Sequence, residues 1–209
     1  MTQRYALAVM ARTPRAYKTK TRLATALGHA GAMRAHIQLV EDTLSRLTQM
    51  PNIDTSLWVT EIDAQARQWA NTFQVALCEQ PAGDLGQKMH AILAHMLIHG
   101  CDLAALVGTD CPSIDQAYVE RGFQALSGCD VAVGPAEDGG YGFIGVSREC
   151  PQLFAHIDWG SDAVFSQTKA RVAESALDLI TLPTIWDVDD PADWARYQKW
   201  KSYIGSGLR

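Results

Sequence analysis

The distribution of apolar residues predicts strands and helices that alternate along the chain. Five apolar residues in succession, 103–107, are typical of a strand covered on both faces of a sheet. Shorter apolar runs predict four further strands in the first two thirds of the chain, at residues 5–10, 57–60, 74–78 and 131–133. The strand at 103–107 ends in a turn of small residues that carries one carboxylate, Asp110.

Apolar residues at spacings of three and four predict amphipathic helices between these strands. Met33, Ile37, Val40, Leu44 and Leu47 place an apolar stripe on one face of a helix over residues 32–50, which Pro51 ends. The same spacing predicts a helix that begins near Leu85 and ends before Gly100. Three more helices are predicted, over residues 114–126, 162–175 and 191–203.

This alternation predicts a layered α/β fold with a mainly parallel sheet. The apolar run 141–146 follows the strand at 131–133 too closely for a helical crossover, so it is predicted to be an antiparallel insertion or a bent return strand. A last strand is predicted near residues 177–182. A chain of 209 residues is within the range of one large domain, which we expect to span residues 1–209.

Composition excludes several classes of protein. The chain is 47% hydrophobic and 20% charged, and no apolar stretch approaches the roughly 18 residues of a membrane span. A net charge of -5 argues against a general nucleic-acid binder, which needs a basic face. The five scattered cysteines form no C-x-x-C pair, so reduced thiols are expected, and the N-terminus has no signal-type cleavage site. We therefore expect a cytoplasmic protein.

A basic loop follows the first strand, and it is unusual in an acidic chain. Five of the eleven residues from Arg12 to Arg22 are basic. A loop at the carboxyl end of a first strand is a natural position for binding phosphates, with Lys20 as a point charge and Arg22 as a bidentate donor. The alternative is a solvated basic loop. Neither a P-loop nor a dinucleotide-binding motif is present, because the glycines that both require are absent.

Carboxylates follow three of the predicted strand ends. Asp110 is either a ligand-binding acid or a turn former beside Pro112. Asp138 lies in a glycine-rich segment that allows close backbone approach to a ligand but could equally be a hairpin turn. In the segment 186–191, alternation puts Asp187 and Asp189 on the same side, whereas Asp190 before Pro191 is suited to cap a helix. A hard divalent cation on a phosphate ester needs one or two protein carboxylates, which Asp110 and Asp189 could supply.

Other candidate chemistry is weaker. His90, His95 and His99 lie on one predicted helix but lack a glutamate in the H-E-x-x-H arrangement, so a polar helix face is favoured over a metal site. Neither Cys111 nor Ser113 has the surroundings of a nucleophile.

Five segments occur in order along nearly the whole chain. They are Ala11-Arg12-Thr13-Pro14 with Lys20-Thr21-Arg22-Leu23, Gly83-Asp84-Leu85-Gly86, Gly108-Thr109-Asp110-Cys111-Pro112, Gly134-Pro135-Ala136-Glu137-Asp138-Gly139-Gly140-Tyr141, and Asp187-Val188-Asp189-Asp190-Pro191-Ala192-Asp193. Together they resemble a bacterial family of transferases with the glycosyltransferase-A fold. Its members are largely uncharacterised and are described as radical-SAM-associated or selenodomain-associated.

The resemblance implies a three-layer nucleotide-diphospho-sugar transferase fold with the nucleotide over the first strand and its loop. The residues implied in nucleotide binding are Ala11, Arg12, Thr13, Lys20, Arg22, Asp84, Gly108 and Thr109. Asp110 and Asp189 would hold Mg²⁺ or Mn²⁺. The chain departs from the family pattern at Arg12 (usually Lys), at Ala16-Tyr17 (usually Pro-Gly) and at residues 158–161, where Trp-Ser-Thr is usual.

The function we expect is transfer of a glycosyl group from a nucleotide-sugar to an acceptor. Lys20 and Arg22 would add positive charge where the diphosphate leaves, and Asp138 would act as base or bind a sugar hydroxyl. One alternative is a nucleotidyltransferase that resembles phospholactate guanylyltransferases and acts on a phosphorylated small molecule. Another is a non-catalytic nucleotide-binding module.

Overall fold

A seven-stranded sheet forms the centre of the molecule, whose computed structural model describes residues 3–15 and 17–205. The strand order is β3-β2-β1-β4-β6-β5-β7. All neighbouring strands are parallel except β6, which is antiparallel to both β4 and β5. The strands are β1 (Tyr5–Ala11), β2 (Ile53–Val59), β3 (Ala76–Glu79), β4 (Leu103–Gly108), β5 (Val131–Pro135), β6 (Tyr141–Val146) and β7 (Leu179–Thr181).

Helices cover both faces of this sheet, so the predicted three-layer α/β fold with a mainly parallel sheet is confirmed. Buried residues of α1, α2 and α4 pack on one face, and those of α3 and α5 pack on the other. The helices are α1 (Ala24–Leu47), α2 (Ala64–Phe73), α3 (Leu85–Ile98), α4 (Gln116–Leu126), α5 (Val164–Glu174) and α6 (Pro191–Gly205), with a short 3₁₀ helix at Pro151–Phe154. Among the described residues, no helix has both the length and the apolar character needed to cross a membrane.

Strand β4 shows why the central strands are apolar on both sides. Leu103 and Val107 pack in the cluster beneath α1 and α4, while Leu106 packs in the cluster beneath α3. All three side chains are buried. The prediction of a strand buried on both faces is confirmed, and so is the antiparallel β6.

The sequence prediction was incomplete for three elements. Helix α2 was not predicted, because its ten residues bury only Ala66 and Trp69 and therefore show little apolar periodicity. Helix α1 begins eight residues before the predicted start, across a kink at Gly28. Strand β2 begins at Ile53 rather than at residue 57, since its first residues are largely polar.

A smaller cluster attaches α6 to α1 and to the basic loop. Leu23, Leu39, Val188 and Tyr197 are buried together with Trp186. Leu23 directly follows the basic loop, and Val188 directly precedes Asp189. This cluster therefore fixes the end of the basic loop against the segment that enters α6.

Candidate active site

Lys20 lies at the centre of the candidate site. Its Nζ is 2.8 Å from Asp110 Oδ2 and 4.0 Å from Asp189 Oδ1, and it donates a 2.6 Å hydrogen bond to the carbonyl of Val188. The side chain is only 8% exposed. The backbone of Lys20 is left-handed, with φ 49°, a conformation that non-glycine residues rarely adopt. The structure thus brings together three residues that the sequence placed far apart.

Asp110 lies just beyond the carboxyl end of β4. Its backbone carbonyl accepts a hydrogen bond of 2.9 Å from the amide of Val188, which joins the end of β4 to the entry of α6. Burial is the largest single influence and works against ionisation of this carboxyl group, but the charge and the hydrogen bond of Lys20, together with nearby basic groups, lower the pKa below its ordinary value. The second oxygen, Oδ1, is buried and has no hydrogen-bond partner among the described residues.

Asp189 is held by Arg22, whose Nη1 is 2.6 Å from Asp189 Oδ2. The neighbouring Asp190 caps α6, because its carboxylate accepts the backbone N–H groups of Ala192 and Asp193. Capping therefore occupies Asp190 and leaves the carboxylate of Asp189 facing Arg22 and Lys20. The acidic segment therefore does both things that the sequence suggested: Asp190 caps the helix, and Asp189 lies in the candidate site.

The start of the basic loop is anchored to the end of β2. Thr13 donates its hydroxyl hydrogen to the carbonyl of Glu61, and its amide donates to Thr60 Oγ1. Arg15 forms an ion pair with Glu61. The side chain of Thr13 is buried, whereas the side chain of Arg12 is exposed at the edge of the sheet. At the two ends of this loop, the side chain of Arg12 is therefore exposed, whereas the side chain of Lys20 is largely buried.

The remaining predicted nucleotide-binding residues lie around the same edge of the sheet. Ala11 ends β1 and Gly108 ends β4, and a side chain at Gly108 would meet no atom within 4 Å. Thr109 is buried beside Asp110. Asp84 follows β3 and caps α3 through a capping box with Gln87, so its carboxylate already accepts a backbone hydrogen bond. Contact of these residues with a nucleotide stays a prediction.

Asp138 has a second acidic residue beside it that the site prediction did not include. Residues Ala136 and Ile185 form an isolated parallel bridge, which brings the two segments together. Asp187 lies close enough to Asp138 to be affected by its charge. Burial raises the pKa of Asp187 to about 6, with the charge of Asp138 as the next largest cause. The alternation of residues 186–190 was the signal in the sequence. Asp138 itself is exposed and accepts a hydrogen bond from the amide of Gly140.

The donor atoms present fit a hard divalent cation that also binds a substrate. Asp110 Oδ1 is a buried carboxylate oxygen without a partner among the described residues, and Asp189 offers a second carboxylate within 4.0 Å of the same Lys20 Nζ. No group of three or more His, Cys, Asp or Glu residues in the described part of the chain is arranged to hold a metal unaided. Mg²⁺ typically uses one or two carboxylates and completes its shell with water and phosphate oxygens. A cation here would therefore depend on substrate phosphates.

Similar structures share the fold. A candidate nucleotide-diphospho-sugar transferase from Desulfovibrio desulfuricans G20 superposes with a TM-score of 0.82 at 28% identity, over 90% of this chain and 84% of that chain. A cytidylyltransferase from Leptospira borgpetersenii serovar Hardjo-bovis gives 0.62 at 16% identity, over 100% and 89%. CMP:2-keto-3-deoxy-manno-octonic acid synthetase, solved with CTP, gives 0.59 at 13% identity, over 99% and 100%. The predicted nucleotide-diphospho-sugar transferase fold is confirmed.

Sequence comparison gives the family. A search of curated protein sequences found no match. A family profile described as "Uncharacterized protein conserved in bacteria (DUF2064)" matches residues 43–161, which is more than half of the chain. The predicted radical-SAM or selenodomain association stays a prediction. The protein belongs to the bacterial DUF2064 family and has the nucleotide-diphospho-sugar transferase fold.

Proposed function

We propose that this protein is a divalent-cation-dependent transferase that binds a nucleotide-diphospho-sugar and transfers its glycosyl group to an acceptor. The observation that carries the proposal is the position of Lys20 between Asp110 and Asp189 at the carboxyl edge of the sheet. Ligands of open α/β sheets bind outside the carboxyl ends of the strands. The similarity to the Desulfovibrio protein supports the same assignment.

The charges of the site suit a diphosphate leaving group. Mg²⁺ or Mn²⁺ held by Asp110 and Asp189 would neutralise the negative charge that develops on the diphosphate. Lys20 is fixed by three oxygen atoms and therefore contributes positive charge without reorganisation during the reaction. Arg22, held by Asp189, adds a second cation near the same point.

The acidic pair Asp138 and Asp187 is suited to the acceptor side. A carboxylate can take the proton from a hydroxyl group that attacks the sugar, and Asp138 is the exposed member of the pair. A phosphorylated acceptor would be repelled by two adjacent carboxyl groups whenever both are ionised. The pair therefore favours an acceptor that presents a neutral hydroxyl group.

A second candidate function is nucleotidyl transfer, in which an acceptor attacks the α-phosphate of a nucleoside triphosphate. It is favoured by the convergence of Lys20, Asp110 and Asp189 on one point, since phosphoryl transfer depends on a cation and fixed positive charge around a single phosphate. The Leptospira cytidylyltransferase and the CMP:2-keto-3-deoxy-manno-octonic acid synthetase have the same fold, but a shared fold does not by itself assign their activities to this protein. The acidic pair argues against the phosphorylated acceptor that such a reaction often uses.

The two reactions release different products. We would incubate the protein and Mg²⁺ with a panel of nucleotide-sugars, and separately with the four nucleoside triphosphates and sugar phosphates, and follow the products by phosphorus NMR. Glycosyl transfer, or slow transfer to water, releases a nucleoside diphosphate, whereas nucleotidyl transfer releases pyrophosphate. We expect the diphosphate, with turnover at least about a hundredfold lower in Asp110→Asn, comparable with removal of a key electrostatic group elsewhere.

A control substitution removes a carboxylate that lies away from the site. Glu120 is exposed on α4, and Glu120→Gln should leave turnover unchanged. If pyrophosphate is the main product, the function is nucleotidyl transfer rather than glycosyl transfer. Equal turnover in Asp110→Asn and Glu120→Gln would remove Asp110 from the mechanism.

A further inference from the structure

We propose that His36 is a positioning residue that fixes the start of the basic loop by holding the backbone carbonyl of Arg12. His36 lies on α1, behind the loop, and its Nε2 is 2.8 Å from that carbonyl oxygen. A carbonyl only accepts, so Nε2 carries the hydrogen and donates it. The importance of this contact for ligand binding rests on the proposed function, since it is the basic loop that would bind the phosphates.

The surroundings of His36 make an imidazole an unusual occupant. The residue is 3% exposed and lies on the inward face of α1 among the buried apolar residues Ala32, Leu39 and Val40. Its other ring nitrogen, Nδ1, is buried and has no hydrogen-bond partner within the described ranges. An unpaired buried polar atom is unfavourable, and a leucine would fill this position without one. The contact with Arg12 is what distinguishes histidine from an apolar residue here.

The ring acts as a neutral donor. Burial is the largest influence on its pKa and lowers it below the ordinary value, against the opposing effects of the Arg12 carbonyl and of Asp110. The positive charges of Lys20 and Arg12 also disfavour a second proton. A neutral ring that donates from Nε2 keeps its lone pair on Nδ1, which agrees with the missing partner at that atom.

His36 supplies the second of two anchors for the loop. Thr13 attaches the loop to the end of β2 through Thr60 and Glu61. The neighbouring carbonyl, that of Arg12, is attached through His36 to α1 on the other side. With both anchors in place, the exposed side chain of Arg12 and the chain leading to Lys20 start from a fixed backbone. Loss of the His36 contact should loosen the loop while leaving the helix intact.

Three substitutions separate the donor from the packing. In His36→Gln the side-chain amide nitrogen can stand near the position of Nε2 and restore the hydrogen bond. In His36→Asn the amide is too short to reach, and in His36→Leu the donor is absent but the volume is kept. Thr55→Val is the matched control, because Thr55 also donates a buried hydrogen bond of 3.3 Å to a backbone carbonyl, that of Leu47, away from the site.

Amide hydrogen exchange measured on the ligand-free protein gives the decisive readout. Exchange within residues 12–22 should rise by about fivefold to tenfold in His36→Leu and His36→Asn, as expected for loss of one hydrogen bond. It should stay near the wild-type rate in His36→Gln. Exchange within residues 37–47 should change no more than in Thr55→Val. A uniform increase along the chain in His36→Leu, or the same loop exchange in the Gln and Leu variants, would overturn the proposal.

Calorimetry with Mg²⁺ and each of ADP, GDP, CDP and UDP then connects the loop to binding. The wild type should bind at least one of these probes, with Kd about fivefold to tenfold higher in His36→Leu and restored in His36→Gln. Failure of the wild type to bind any probe would contradict the proposed function, while hydrogen exchange would still decide the role of His36. Binding by the wild type with the same Kd in His36→Leu would overturn the role of His36 alone.

Discussion

Asp187 shows how its surroundings in the folded protein change the chemistry of a single carboxyl group. Burial, and next the negative charge of Asp138, raise its pKa to about 6 from an ordinary value of 3.8. The folded protein therefore binds this proton more tightly than the unfolded chain does. The resulting contribution to stability is fully present below the unfolded pKa and is lost as the pH rises through about 6.

Replacing Asp187 by Asn should therefore stabilise the metal-free protein at neutral pH. A rise of about two pKa units corresponds to about 3 kcal/mol, and solvent screening of this partly exposed group reduces the expected gain to about 1 kcal/mol. Near pH 4 the gain should be largely absent, because Asp187 is already protonated in the folded protein. Urea unfolding at both pH values measures it. A gain of the same size at both would show that charge is not the cause.

The residues of the candidate site could be predicted from the sequence where a strand end marked them. Lys20 follows β1, Asp110 follows β4 and Asp189 precedes α6, and the structure brings the three together. Asp187 was not selected, because it is the pairing of Ala136 with Ile185 that brings its segment towards Asp138. Pairing between segments that distant in sequence leaves no local pattern.

At the scale of elements, the loop from β5 to β6 depends on one glycine. Gly139 has φ 88°, and a Cβ at this position would lie 2.1 Å from the carbonyl oxygen of Asp162. Its own carbonyl accepts a hydrogen bond of 2.9 Å from the amide of Phe165. Because the neighbouring atom belongs to the backbone, an added methyl group can be accommodated only if the loop moves away from the start of α5.

Gly139→Ala should lower the free energy of unfolding by about 2 kcal/mol or more, since left-handed backbone strain and a backbone clash combine. Gly160→Ala is the matched control. Gly160 has φ 89°, but no atom lies within 4 Å of its Cβ position, so only the strain of about 1 kcal/mol remains. Urea unfolding compares the two. Equal losses would mean that the contact with Asp162 does not constrain the loop.

Helices and strands could be predicted from the sequence where they bury one whole face or all of their side chains, because such burial leaves a periodic or continuous apolar pattern. Strand β4 and helix α3 are marked by continuous or periodic apolar residues and were predicted almost to their observed bounds. Helix α2 is stabilised by its cap, Asp63, and by two buried residues, which is too little periodicity to identify it. The early start of α1 follows from a kink at Gly28, a tertiary feature that local spacing does not contain.

At the scale of the whole molecule, three segments distant in sequence meet because six of the seven strands share one direction. The loop after β1, the turn after β4 and the entry to α6 all lie at the edge where these strands end. The cluster of Leu23, Val188 and Tyr197 holds the first and last of these segments together. The site is therefore a product of the topology, and the Desulfovibrio protein has a similar fold.

The central claim is that Asp110 and Lys20 together form a site for a nucleoside diphosphate and a divalent cation. Isothermal titration calorimetry with nucleoside diphosphates, with and without Mg²⁺, tests it most directly. We expect binding that requires the cation, weakens by at least about tenfold in both Asp110→Asn and Lys20→Met, and is unchanged in Glu120→Gln. Binding of equal strength without the cation, or in Asp110→Asn, would contradict the account.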